Sequence, residues 1–224
     1  MTNQIIDRLY RVREAISSAC RRAGRSEAEI KLIAVTKTWP PEVVRAALEA
    51  GLTDFGENKV QELVAKAPLF SSQNWHMIGH LQRNKARQVI THAKEFHALD
   101  SIRLARALNQ YAEEAGKVLS CFIQVNVSAE ESKFGLLPDD VGDFLAKLDE
   151  YSFIHPAGLM TLASPDSRKV REEFRLLRSI RSKYVDLAGP GLSMGMSGDY
   201  EVAIEEGATH IRVGSALFGP RSYL

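Results

Sequence analysis

The first twenty residues, MTNQIIDRLYRVREAISSAC, place apolar side chains at Ile5, Leu9, Val12, Ile16 and Ala19. Steps of three and four put all five on one face of a helix. The pattern then changes to short apolar runs separated by longer, helically periodic segments. The runs are LIAVTK (32–37), DFGE (54–57), WHMIG (75–79), EFHAL (95–99), CFIQVN (121–126), FIHPAGLM (153–160), GLSMG (191–195) and HIRVG (210–214). Each has strand length and no helical period. The segments between them carry helix punctuation. PPEVVRAALEAG (40–51) opens on proline and closes on glycine. SIRLARALNQYAEEAG (101–116) runs from Ser101 to Gly116, and GDYEVAIEEG (198–207) places Asp199 as a cap and Gly207 as a stop.

Strands that each await a crossover segment pair in parallel, and right-handed crossovers close such a sheet on itself. The expected architecture is therefore α/β, a (β/α)8 TIM barrel with an extra N-terminal helix. The competing open, doubly wound sheet is weakened because no GxGxxG follows the first strand. No linker, repeat or low-complexity run divides the chain, so one domain is expected over residues 1–224.

Composition changes this picture little. The chain is 45% hydrophobic and 25% charged with a formal net charge of +1, which points to a soluble core-forming protein and away from nucleic-acid or membrane-surface partners. The basic cluster RNKAR (83–87) is expected on a solvated helix face. Cys20 and Cys121 have neither metal-site spacing nor a disulfide pattern, which fits a reducing cytoplasm. The N-terminus is interrupted by charges and does not read as a signal peptide, and no run approaches a membrane span.

In such a barrel, chemistry sits at the C-terminal ends of the strands. That rule explains LIAVTKTWPPE (32–42), where Lys37 ends an apolar run: the amine belongs to the mouth, not the core. The loops after strands seven and eight are the usual phosphate cup. Here they contain Ser197 and Gly198, then Gly214 and Ser215, whose backbone N–H groups and hydroxyls suit an anion. Arg212 alternates onto the same face as Gly214 and faces either an inward acid such as Glu57 or a ligand. His76 and His80 lie four apart with a strand ending between them, so no metal site is expected. His80 either lines the mouth or makes a structural polar contact. Lysine, arginine and a phosphate cup together suggest a phosphorylated aldehyde held as a Schiff base. That leaves pyridoxal 5′-phosphate (PLP) or the sugar phosphate of an aldolase.

The stretches AVTKTWP (34–40), FGENKVQE (55–62), WHMIGHLQRNK (75–85), VNVSAEESKFG (125–135), GLMTL (158–162) and LSMGMSGDYEVAIEEGATHIRVGSALFG (192–219) resemble the PLP-binding YggS/PROSC family, the pyridoxal phosphate homeostasis proteins. The likeness spans nearly the whole chain. It implies the N-terminal barrel of alanine racemase, the third fold type of PLP proteins, with Lys37 bonded to the cofactor. Ser197, Gly214 and Ser215 would hold the phosphate and Arg212 would face the pyridine nitrogen. Asn58, Met160, Ser193 and Met194 would line the pocket, with Lys133 near it. One departure is a shorter stretch between GLMTL and LSMGMS.

An arginine at the ring nitrogen disfavours its protonation and weakens the electron sink that PLP enzymes use. With no second acid-base residue in view, the expectation is a cytoplasmic carrier or reservoir of PLP without turnover, monomeric, with PLP-dependent apoenzymes as recipients. The alternative is a weak PLP-dependent amino-acid racemase.

Overall fold

The computed structural model describes residues 1–128, 130 and 133–220. Eight parallel strands close into a barrel in sequence order. They are β1 (Lys31–Val35), β2 (Asp54–Glu57), β3 (Asn74–Met77), β4 (Glu95–Leu99), β5 (Leu119–Gln124), β6 (Ile154–Met160), β7 (Gly191–Ser193) and β8 (His210–Val213). The barrel shuts where β8 runs beside β1 in register from Lys31 opposite His210 to Ala34 opposite Val213.

All eight expected strands are present, but several stop before the sequence pattern does. β1 ends at Val35, β5 at Gln124 and β7 at Ser193. At the mouth the chain leaves the ladder to form loops. After β1, the Thr36 N–H still donates to the Gly56 carbonyl, and Trp39 N–H then turns back to the Thr36 carbonyl.

The crossovers carry helices α2 (Pro41–Glu49), α3 (Val60–Lys66), α4 (Ala86–His92), α5 (Ile102–Glu114), α6 (Val141–Leu148), α7 (Ser167–Lys183), α8 (Val185–Ala188) and α9 (Tyr200–Glu205). α10 (Ser215–Phe218) follows β8. Pro40 and Pro41 open α2 as expected. Asp199 does not cap α9 forward. Its Oδ1 instead accepts from Met196 N–H at 2.5 Å, which ties the loop after β7 to the start of that helix. The stretch after GLMTL holds α7 and α8. RNKAR forms a short turn that enters α4, where Arg87 pairs with Glu114 at 2.8 Å and lies over the Tyr111 ring.

The extra helix α1 (Thr2–Ala23) buries Ile5, Leu9, Val12, Ile16 and Ala19, together with Cys20. It packs on α9, α10 and α2. Arg22 pairs with Glu201 and Glu205, and Arg25 donates to the carbonyls of Ile204 and Ala208. α1 thereby braces the helix that follows the β7 loop. Among the described residues, no helix is long and apolar enough to cross a membrane.

Truncating a buried leucine removes transfer free energy and leaves a cavity. Leu9→Ala is therefore expected to cost about 2–4 kcal/mol in urea unfolding. Its exposed neighbour Tyr10, substituted by alanine, should stay within about 0.5 kcal/mol of the parent.

Candidate functional site

Lys37 follows β1 and sits in a turn whose backbone is held from one side. Thr36 Oγ1 donates to Glu57 Oε1 at 2.7 Å, and Lys66 Nζ donates to the Thr36 carbonyl at 2.8 Å and to Glu57 Oε1 at 2.8 Å. Lys66 also reaches Glu62 Oε2 at 3.0 Å, and that same carboxylate oxygen accepts the Thr38 N–H at 2.6 Å. Thr38 has φ 69°, in the left-handed region that a β-branched residue rarely visits. Such a conformation persists where surrounding bonds over-determine it. Burial pushes the Glu57 carboxyl up to about 7 against the hydrogen bonds from Lys66 and Thr36. The sequence reading missed this frame. Lys66 lies on the buried face of α3, and only the fold brings it under the turn.

Lys37 opens onto a cavity of about 410 Å³ at the barrel mouth, within the range of small-molecule sites. Asn58, Ser197, Arg212, Gly214 and Ser215 line it with Lys37, and Lys133 stands at its edge. Val35, Ile78, Leu162, Ala163 and Met196 supply the apolar walls. Among the described residues, three cationic side chains line this space and no carboxylate does. Asn58 is brought in by a close approach of backbones. A Cβ on Gly79 would lie 2.2 Å from the Asn58 carbonyl oxygen, so only glycine fits there.

The cup forms as the two loops converge. Ser197 Oγ accepts from Gly214 N–H at 3.1 Å and from Ala216 N–H at 3.3 Å. Opposite, Arg212 is almost wholly buried in β8. Its Nη1 donates to Ser193 Oγ at 2.5 Å and its Nη2 to the Thr161 carbonyl at 2.8 Å. Burial brings this guanidinium down to about 10, so it is still a cation at neutral pH. Glu57 is not its partner: that carboxylate is committed to Thr36 and Lys66.

Three of the residues expected to line the pocket do not. Met160 and Met194 are buried in the wall, and Ser193 is the acceptor for Arg212. Alternation along β7 turns Ser193 into the barrel, against Arg212 and His97, and Met194 outward. Gly195 with φ 94° then turns the chain, and Met196 comes to the cavity. Along the β6 loop, Leu162 takes the place expected for Met160. In VNVSAEESKFG, residues 129, 131 and 132 lie outside the described residues. Lys133 Nζ pairs with Glu130 Oε1 at 2.8 Å. His80 does not line the Lys37 cavity. It pairs with Asp100 at 3.4 Å and stacks on Phe134 beside a second, more open hollow.

Below the cavity the barrel interior is polar, which no spacing in the sequence announces. His76, His97 and His210 gather around Glu95, with Lys31 and Asp54 at the floor. Glu95 Oε1 accepts from Lys31 Nζ at 2.7 Å. Burial opposes the charge on Glu95, but contacts with His76, His97 and Lys31 outweigh it and hold its pKa well below the usual range. Burial likewise opposes charge on His76, yet Asp54 and Glu95 on its two sides raise its pKa. Burial first, and then the neighbouring cationic groups, bring His97 down to about 3 and His210 down to about 4 against the pull of Glu95. His76, Glu95 and His97 offer three ligand atoms within 4.8 Å. The ammonium of Lys31 already supplies a cation there, so the cluster is a charge network.

The fold and cavity define a parallel α/β barrel able to hold an anionic, electrophilic small molecule between an amine, a guanidinium and a hydroxyl-and-amide cup. The family model for the alanine racemase N-terminal domain matches residues 9–222. The pyridoxal phosphate homeostasis protein of Aquifex aeolicus is 42% identical over 97% of this chain and 98% of its own. That of Escherichia coli K12 is 38% identical over 99% and 98%. The PipY protein of Synechococcus elongatus PCC7942, solved with PLP bound, superposes with a TM-score of 0.83 at 33% identity, covering 96% of this chain and 100% of that one. Alanine racemase of Clostridium difficile shares the fold at 15% identity with a TM-score of 0.74 over 93% of this chain and 58% of that one. The chain belongs to the alanine racemase N-terminal domain family and, within it, to the pyridoxal phosphate homeostasis proteins.

The charge network sets a pH response. An unfolded histidine takes up its proton as pH falls through about 6.5, whereas His97 and His210 resist until about 3 and about 4 in the barrel. Their stabilising contribution is lost as pH falls through that window. Glu57, raised to about 7, and His76, whose pKa is also raised, act in the opposite sense as pH falls toward the ordinary carboxylate range. Asp54 and Glu95, both depressed, add to the loss at lower pH. The melting temperature should change little between about pH 6.5 and about pH 4.5, where these effects oppose one another, and fall steeply below about pH 4.5 as Asp54 and Glu95 lose their advantage. A scanning calorimetry series across about pH 3–8 measures it.

Proposed function

We propose that this chain binds PLP through Lys37 and serves PLP homeostasis by holding and releasing the cofactor without turning over a substrate. The observation that carries this is the cavity itself: one reactive amine, one buried guanidinium and one hydroxyl-and-amide cup converge on a space lined, among the described residues, by three cations and no acid. The donor set fits PLP. The Gly214 and Ala216 N–H groups already point at Ser197 Oγ, so an anion there meets oriented donors. Val35, Ile78 and Leu162 offer apolar surface to a flat ring. When bound, PLP supplies an aldehyde that condenses with a lysine amine and a ring able to accept electrons.

Each residue then has a role. Ser197 and the backbone at Gly214 and Ser215 hold the phosphate, and Asn58 contacts the ligand from the β2 side. Arg212 donates to the ring nitrogen and opposes its protonation, because a guanidinium is a cation with no lone pair to accept a pyridinium N–H. Ser193 acts behind Arg212, while Met160 and Met194 shape the wall without touching the ligand. Lys133 is a second amine at the rim, engaged by Glu130. The relatives are named for PLP homeostasis, and their length matches that of this chain. We place the protein in the cytoplasm, in keeping with two free, buried cysteines. We also infer a monomer that passes PLP to apoenzymes. Its exposed apolar side chains, such as Tyr10, Leu69 and Leu187, are spread over separate elements.

Incubation with PLP should turn the protein yellow. Borohydride should then bleach the visible band and leave a stable adduct that maps to Lys37, and Lys37→Ala should abolish it. Ser197→Ala should weaken PLP retention by roughly tenfold, the loss of one charge-assisted hydrogen bond. A protein that cannot be loaded, or an adduct at another residue, overturns this reading. Interconversion of L- and D-alanine by the loaded protein, lost in Lys37→Ala, would replace holding by racemisation.

A further inference from the structure

Arg212 is the end of a buried hydrogen-bond chain that crosses the barrel interior. From the mouth inward, Arg212 Nη1 meets Ser193 Oγ at 2.5 Å, Ser193 Oγ meets His97 Nδ1 at 2.9 Å, and His97 Nε2 meets Glu95 Oε2 at 3.2 Å. Glu95 is gripped by Lys31, and His76 Nδ1 lies 3.0 Å from Glu95 Oε2 in an ion-pair contact without hydrogen-bond alignment. His76 Nε2 then reaches Asp54 Oδ1 at 3.0 Å. Lys31, Asp54 and Glu95 begin their strands, so this end is the barrel floor. Arg212 and Ser193 lie toward the mouth.

The donors in this chain can be assigned from one end. A guanidinium only donates, so Ser193 Oγ accepts from Arg212. The hydroxyl proton of Ser193 must go elsewhere, and His97 Nδ1 is placed to take it. His97 then carries its own proton on Nε2 and donates it to Glu95. A carboxylate accepts and does not donate, so it stops the chain. Phe122 stacks on the His97 ring with centroids 4.4 Å apart, and His76 meets it edge-on at 5.4 Å, which leaves the ring no room to flip. His97 and Ser193 are both fully buried, so water offers no alternative partners.

We propose that His97 is a positioning residue for Arg212. Through Ser193 it holds the guanidinium with one edge committed to the protein and the other presented to the cavity. The floor cluster of Lys31, Glu95 and His76 exists in part to keep His97 in the tautomer that does this. The inference rests on the reading of the cavity as the PLP site. It adds that the electronic setting of the bound ring is governed from residues that never touch it, as partners behind a contacting residue govern other ligand sites.

The test compares His97→Leu, His97→Asn and Ser193→Ala in the full chain. Three quantities are measured on each: borohydride labelling at Lys37, the PLP dissociation constant, and the position of the visible band of bound PLP. Asparagine can keep an acceptor where His97 Nδ1 stands, whereas leucine cannot. His97→Leu should still label at Lys37, release PLP about tenfold more readily and move the visible band. His97→Asn should return both toward the parent. In an Arg212→Lys background, His97→Leu should add no further change, since its effect runs through Arg212. If His97→Leu does not fold, Ser193→Ala carries the test, because it removes a single hydroxyl and interrupts the same chain. A parent that fails to load PLP at Lys37 defeats the reading of the cavity. A parent that loads, with variants whose band and dissociation constant equal its own, overturns the role of His97 alone. Equal effects of His97→Leu with and without Arg212 do the same.

Discussion

A guanidinium sealed inside a closed barrel must be satisfied without water, and much of the interior of this protein follows from that need. Among the described residues no carboxylate forms an ion pair with Arg212, and Asp199 acts on it only through its field. The hydrogen bonds of Arg212 go to the Ser193 hydroxyl and the Thr161 carbonyl. A neutral partner leaves the guanidinium's positive field directed at the cavity, where a paired carboxylate would cancel it. The hydroxyl in turn needs an acceptor, which is His97, and His97 needs one, which is Glu95. The interior of the barrel is filled by these successive obligations where apolar layers are the common solution.

The reactive amine is framed by a separate network of the same kind. Thr36 and Thr38 flank Lys37, and both are tied to carboxylates of the β2 and α3 segments that Lys66 also holds. One side of the mouth is thus anchored through Lys66 and the other through Arg212. The cup between them is made by the β7 and β8 loops, which α1 braces from outside through Arg22 and Arg25. Cavity charge, amine position and cup geometry have three different structural sources. Removing one partner of a buried charged pair is costly, so each source resists change by itself.

Much of the fold was legible in the chain. The eight strands and the face of α1 could be read because burial imposes a period of two or of three to four on apolar residues. The positions of Lys37, Asn58, Ser197, Arg212, Gly214 and Ser215 at the cavity follow from the rule that strand ends point to the mouth, together with the resemblance. Met160, Ser193 and Met194 show where that rule stops. Alternation allows only one of two adjacent strand residues to face inward, and a glycine in the left-handed region then brings Met196 to the cavity. The pattern GLSMG carries no mark of where its ladder ends.

The sequence by itself determined the period of each element, the order of the strands and the set of residues that could reach a shared mouth, because local sterics and burial act on neighbours along the chain. It did not determine which buried polar groups would meet. Lys66 lies 30 residues from Thr36, and His97 lies 96 from Ser193. Their pairing depends on strand register and on the closure of the barrel, which brings strand four across from strand seven. Only the tertiary structure decided that Glu57 belongs to Lys66 and that Arg212 belongs to a serine, because in a dry interior each polar group must bond to whatever the closed fold places within its reach.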